Sequence, residues 1–412
     1  MESLRRFVQD EKFGLYLMVF MTNLGWAITS PLLPEISSEF KVSAAQVALV
    51  SSAYGLTRLV LNLPIGLMLN RVDQRLLRVG GALILCLGSV LSALATSFYG
   101  LILGQLISGA GGAIVLVTNM VWISHLSTPE RRGWDLGVYQ AVFQASVSIS
   151  PMLSGWLATW GDWRTAFWFA AVTPVLAFLP LFGARADWLE RVRHAVAQEK
   201  QAKTMPAESA WRSSTVLALI VANWITFVMF FTSHGFQGTV FPLYGGIVLG
   251  LSTGAIGMVI GLSTIVRFVL SLVGGHLSDR FGRRVVLVPG LLLVGLGTAL
   301  LSLASNVMLY WLVMLIFSLG RFGNNVPATV LADHAPASRW GFFMGLNRLM
   351  GDLGTVFGPL AMGLLVQNYG YTVTSFSTSL LVWGSAILVI VGVTEVRPRQ
   401  PLMGWMRQRL RI

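Results

Sequence analysis

The sequence predicts an all-α polytopic membrane protein, with twelve transmembrane helices in two six-helix bundles related by pseudo-two-fold symmetry. Three observations carry this. The chain has 412 residues, of which 55% are hydrophobic and 11% charged, whereas soluble domains carry roughly 25% charged residues. Apolar runs near twenty residues recur along the whole length, each able to cross a hydrocarbon core of ~30 Å. The two halves also repeat each other at an offset of about 209 residues. A transmembrane β-barrel would need segments of about ten residues in strict apolar/polar alternation, and these runs are longer and continuously apolar.

In order, the spans are read at 13–34, 45–69, 78–96, 100–126, 136–158, 165–183, 214–236, 253–277, 285–305, 308–332, 342–366 and 373–394. The end of the seventh is the least defined, because apolar residues continue through "TVFPLYGGIVLGL". This predicts a bundle at 1–183, a linker at 184–213, a second bundle at 214–394 and a basic tail at 395–412. In the linker, Trp188, Leu189, Val192 and Val196 can form one face of an interfacial helix. Of 29 Lys and Arg residues, 23 fall in the termini and alternate loops, and only Lys41 and Arg164 in the opposite set. The positive-inside rule then places both termini and the basic loops in the cytoplasm, and an even number of spans agrees.

The net charge of +12 is an orientation and lipid-headgroup signal. No basic domain stands apart from the spans, so nucleic-acid binding is not expected. "MESLRRFVQDEKFG" lacks the small-residue cleavage site of a signal peptide. The absence of Asn-x-Ser/Thr sequons fits a prokaryotic inner membrane. The single cysteine, Cys86, allows no disulfide framework. The five histidines are scattered, so no metal is expected. No phosphate-cradling loop or nucleophile elbow appears, so neither an enzyme nor a cofactor is expected.

The repeat has two clear stretches. "TRLVLNLPIGLMLNRVDQR" (57–75) aligns with "VRFVLSLVGGHLSDRFGRR" (266–284), placing Arg58 on Arg267, Gly66 on Gly275, Asn70 on Asp279 and Arg71 on Arg280. "RRGWDLGVYQAVFQASVSISPMLSG" (131–155) aligns with "RWGFFMGLNRLMGDLGTVFGPLAMG" (339–363), placing Gln140 on Arg348, Gln144 on Asp352, Pro151 on Pro359 and Gly155 on Gly363. Two parallel six-span repeats are a known transporter plan.

With these stretches on the page, the chain resembles the major facilitator superfamily over nearly its full length, and in particular its twelve-span drug or metabolite:proton antiporter branch. "GGHLSDRFGRR" (274–284) looks like the family's cytoplasmic loop motif. The resemblance implies a gate of Gly275, Asp279, Arg280, Arg283 and Arg284, with Asn70, Arg71, Asp135 and Arg339 as further edge residues. Gly275 is expected to permit close helix approach. The first-half copy carries Asn70 in place of the acid and Asp73 in place of the glycine. Span five resembles the antiporter pattern Gly-x8-Gly-x3-Gly-Pro-x2-Gly-Gly, reading Gly137, Ser146, Ser150, Pro151, Ser154, Gly155. Span eleven repeats it as Gly345, Gly354, Gly358, Pro359, Met362, Gly363. Pro151, Gly155, Gly358 and Pro359 are expected at hinges, since small residues admit close backbones and proline bends a helix. Span four departs from the antiporters: where they carry Arg four residues before Gly, this chain has Gln105 ahead of Gly109.

Four arginines lie inside spans: Arg58, Arg267, Arg321 and Arg348. Asp352 is the one carboxylate read well inside a span, four residues after Arg348, so the two can pair along one helix. A charged side chain in a bilayer normally faces a cavity or a partner. Asp352 is therefore the candidate proton site. Arg348, Arg58, Arg267 and Arg321 are cavity candidates, joined by Gln140, Gln144, Asn324 and Asn325, and on the resemblance by Asn23, Trp26, Asn119 and Asn223. Four arginines against one carboxylate suit a small solute with anionic or strongly polar groups. The expectation is a monomeric secondary transporter working by alternating access among membrane lipids, exporting a drug or metabolite against protons. The alternatives are uptake or exchange of an organic anion, and lipid translocation.

Overall fold

The computed structural model describes residues 11–25, 27–69, 72–127, 132–177, 213–336 and 339–393. The described residues form helices and no strand. Span one is Glu11–Leu24 and Thr29–Phe40, span two Ala44–Met68, span three Gln74–Ala93, span four Phe98–Leu126, span five Arg132–Ala158 and span six Trp163–Leu176. Span seven begins at Ser213–Phe231 and span eight is Thr253–Phe281, with span nine at Arg283–Leu300. Span ten is Val307–Gly320 and Val326–His334 around a 3₁₀ turn at Arg321–Gly323. Spans eleven and twelve share Trp340–Gly392, broken at Gly370, where φ 77° and ψ 175° leave the helix. Only glycine adopts that conformation without strain.

Among the described residues, nine stretches are long and apolar enough to cross a membrane. Division at Gly370, together with spans five and six, is consistent with the twelve expected. The helices start where the sequence supplies caps. Ser43 and Gln46 form a capping box, Ser97 Oγ accepts from Gly100 N–H at 3.2 Å, and Asn306 Oδ1 accepts from Leu309 N–H at 2.9 Å.

Two predicted ends and the placement of one arginine need correction. Span one does not stop at 34 but runs to Phe40, through Pro34 and the polar "EISSEF". Span seven does not stop at 236, because π-helical turns at Thr232–Val240 and Tyr244–Val248 carry it on. In hydrocarbon every backbone group must be bonded within the helix, so the helix persists across residues that read as loop. Arg78, counted with the loop charges, lies inside span three: it is 3% exposed, with its guanidinium carbon 3.2 Å from the Trp122 ring centroid. The predicted linker helix and basic tail lie outside the described residues, as do Trp26, Asn70 and Arg71.

The described residues cluster into two compact units that cut across the sequence halves. The first takes those of Met1–Thr204, Gln237–Leu262 and Pro359–Gln367; the second takes those of Met205–Phe236, Ser263–Gly358 and Asn368–Ile412. In the first unit, span five packs on span eight: a Cβ at Gly155 would stand 2.6 Å from the Thr253 carbonyl, and Gly257 abuts the Pro151 carbonyl. Span eleven packs on span two in the same way, with Gly363 against Ala48 and Ala44.

Candidate functional site

The second unit holds the charge pair. Span eleven lays one face on span seven: Gly351 against the Phe230 ring, Gly354 against the backbone of Phe227 and Phe231, Gly358 against Phe231 and Gly235. A Cβ at Gly354 would come within 2.5 Å of the Phe227 carbonyl oxygen. Asn347 donates to Thr226 Oγ1 at 2.6 Å on the same face. This contact fixes the rotation of span eleven about its axis. Asp352 is thereby held 6% exposed, with Arg348 Nε 3.3 Å from its Oδ2. The arginine side chain is half exposed, at 50%, and the aspartate side chain 8%. The repeat mates Gln140 and Gln144 are exposed and half-buried.

Arg321 sits where span ten loses its α-helix, 3% exposed. Its Nη2 donates to Asn324 Oδ1 at 3.2 Å and to the Met229 carbonyl of span seven at 3.4 Å. Arg267 of span eight is 7% exposed. Interrupted helices and buried cations together mark binding sites in transporters. Asn325 is exposed. The Asn223 amide donates to Leu219 O at 2.8 Å, and its Oδ1 has no partner among the described residues.

In the first unit, Arg58 is 6% exposed, its guanidinium carbon 6.0 Å from the Tyr54 ring centroid. Asn119 is 1% exposed, and its Oδ1 has no partner among the described residues. Asn23 spends its amide on the Val19 carbonyl of its own helix, at 2.7 Å. Gln105, at the place of the absent arginine, donates to Ser92 Oγ at 3.1 Å and ties span four to span three. The three serines replacing glycine in span five are all fully buried. Ser150 Oγ donates to the Leu24 carbonyl at 2.5 Å, which the break after span one's first helix leaves without an intrahelical donor.

The loop-motif residues are engaged within the second unit. Arg283 holds Asp279 at 2.5 Å, Asp333 at 3.0 Å and Ser278 Oγ at 2.9 Å, joining spans eight, nine and ten. Arg284 donates to the Val393 carbonyl at the end of span twelve. Arg280 lies over the Phe281 ring, 5.3 Å from its centroid. The close approach assigned to Gly275 falls instead on Gly274, which abuts Phe322 of span ten; a Cβ at Gly275 would meet nothing within 4 Å. Asp135 is 3% exposed, and its carbonyl accepts from Tyr16 at 3.4 Å. Arg339 is exposed.

Sequence reasoning missed Asn347 and Thr226, because a hydrogen bond between spans has no signature in either span alone. It also missed a cluster at the end away from the basic loops. There Thr253 donates to Glu35 beside a cavity of about 350 Å³ lined by Pro34, Ser38, Thr159, Gly246 and Leu251. Nearby, Arg164 donates to Glu39 at 2.6 Å and to Asp162 at 3.0 Å. Among the described residues no His, Cys, Asp and Glu side chains group as a metal site.

A Major Facilitator Superfamily profile matches residues 15–267 and 224–404. "Multidrug resistance protein 2" of Bacillus subtilis is 22% identical over 385 residues, covering 92% of each chain. "Quinolone resistance protein NorA" of Staphylococcus aureus is 21% identical, covering 86% of this chain and 89% of its own. Among solved structures, a D-xylose-proton symporter superposes with a TM-score of 0.75 at 14% identity, over 95% of this chain and 99% of its own. The human organic anion transporter MFSD10 superposes with a TM-score of 0.65 at 16% identity, over 93% and 99%. The chain belongs to the Major Facilitator Superfamily, and is an integral multi-pass secondary transporter of small molecules rather than an enzyme.

Proposed function

We propose that this transporter exports a small organic solute from a bacterial cytoplasm in exchange for protons, by alternating access, with Asp352 as the proton carrier. The observation that carries the reading is the Arg348–Asp352 pair, one member sealed and the other half exposed. Solute that draws on Arg348 and a proton that binds Asp352 then compete for one ion pair, which links the two movements. The multidrug names of the bacterial relatives agree with export.

The charge distribution supports cytoplasmic termini, with the Arg283 cluster on the inner face. The Glu35–Thr253 contact and the packing of Gly155 on span eight then form an outer seal that must part when the solute leaves. In proteoliposomes, the reading expects solute flux driven by an imposed pH gradient and lost on adding a protonophore. Flux unchanged by protonophore would overturn it.

A further inference from the structure

The cavity of about 350 Å³ at the end away from the basic loops lies wholly within the first unit. Its walls are set by close backbone packing. Gly246 abuts Pro34 of span one, Gly155 of span five abuts the Thr253 carbonyl, and a Cβ at Gly254 would stand 3.3 Å from Thr159 Cγ2. Pro34, Ala158 and Leu251 give the cavity apolar sides. Its polar side holds Glu35, half-buried, with Thr159 and Thr253.

The chemistry of that side is one-sided. A hydroxyl carries one proton and two lone pairs. Thr253 spends its proton on Glu35, and Thr159 spends its own on the Trp156 carbonyl at 2.6 Å. What each hydroxyl still offers is a lone pair. Glu35 itself has no ion-pair partner among the described residues. Neither cation of this end answers it. Arg164 is taken up by Glu39 and Asp162, and Lys41 is exposed and forms no ion pair with a described residue. The cavity thus presents acceptors and a negative charge between apolar walls. We infer that it binds a small organic cation bearing N–H groups, a guanidinium or a protonated amine, with Glu35 as counter-charge. A carboxylate accepts two parallel N–H donors from a guanidinium, and the volume falls within the about 300–1,000 Å³ of small-molecule sites. The occupant touches spans one, five and eight together, so it favours the arrangement in which the three are closed on each other. It restrains transport and is not the cargo. The site stands on the first unit alone, and only the restraint rests on the export reading, through the outer seal.

The test is binding of benzylguanidinium to the purified full chain in a nonionic detergent at constant ionic strength, with benzyl alcohol and benzoate as controls. Benzylguanidinium is expected to raise Tm and to slow hydrogen exchange at the amides of 251–256, and the controls to do neither. Glu35→Gln keeps an acceptor for Thr253 and removes the charge. It should weaken binding by about tenfold or more, the scale of one lost hydrogen bond to a charged group. Ser38→Trp, which fills the cavity from an exposed position, should do the same with Glu35 intact. Equal Tm shifts with all three compounds, or full benzylguanidinium binding by a folded Glu35→Gln, would overturn the site. Exchange protection confined to 347–355 would place the cation at the Arg348–Asp352 pair and overturn it as well. In proteoliposomes, saturating benzylguanidinium should slow solute counterflow in the wild type and not in Glu35→Gln; unchanged counterflow in the wild type overturns the restraint. Binding at this site in a protein whose flux ignores the pH gradient sinks proton exchange and leaves the site. Proton-coupled flux with no benzylguanidinium binding does the reverse.

Discussion

In span five the two positions that repeat Arg348 and Asp352 are Gln140 and Gln144, which carry no charge. The steps behind them are nevertheless alike. Pro151 and Gly155 bring span five onto span eight, and Gly363, just past Pro359, brings span eleven onto span two. The two helices differ in how they meet their neighbours. Span five fills its tight positions with Ser146, Ser150 and Ser154, each buried and bonded to a backbone carbonyl. Span eleven uses Gly354 and Gly358, and brings its backbone against span seven. Bending and packing belong to the shared frame, and the ionisable chemistry to one copy.

The largest expected effect breaks the frame of span eleven. Gly354→Val places its side chain where the Phe227 carbonyl and Phe231 amide already stand at 2.5 and 2.8 Å from a Cβ. Overpacking of this kind costs about 1–3 kcal/mol, to be seen as a fall in Tm of purified protein. Gly345→Ala, whose Cβ meets nothing within 4 Å, should leave Tm level or slightly raised. Equal falls in both would mean that the glycines serve flexibility rather than contact.

Next comes the charge itself. Arg348→Gln removes the cation 3.3 Å from the Asp352 carboxylate. The ratio of protons to solute exchanged, read with a pH indicator inside proteoliposomes, should fall in this variant, while Gln140→Ala leaves it in place. A smaller effect tests span five. Ser150→Ala gives up the bond to the Leu24 carbonyl, and about 0.6–1.5 kcal/mol is expected from hydrogen bonds of this type. Denaturation of the variant in mixed micelles measures the loss.

The fold was legible where the signal is local and long. Spans two, four and eight follow from apolar runs. The break at Gly370 falls in the stretch "QNYGYT" between spans eleven and twelve, where the sequence expected a turn. Span seven was not legible past Phe236, because "TSHGFQGTV" is too polar to read as membrane helix and survives through π-helical turns. The same holds for "EISSEF" at the end of span one. At the candidate site, the i,i+4 spacing of Arg348 and Asp352 foretold their pairing. That Arg267 Nε finds no hydrogen-bond partner among the described residues was hidden, since it depends on what neighbouring helices bring near it. Gly275 and Gly274 are adjacent glycines, and only the direction of each Cα relative to Phe322 separates them.

The central claim is that the charge on span eleven couples transport and the frame does not. Proton counter-movement, followed by a pH indicator inside proteoliposomes during solute flux, tests it most directly in Asp352→Asn. The account predicts solute counterflow near the wild-type rate with no accompanying proton movement. Proton movement at the wild-type ratio to solute would contradict it and make the Arg348–Asp352 pair a structural tie.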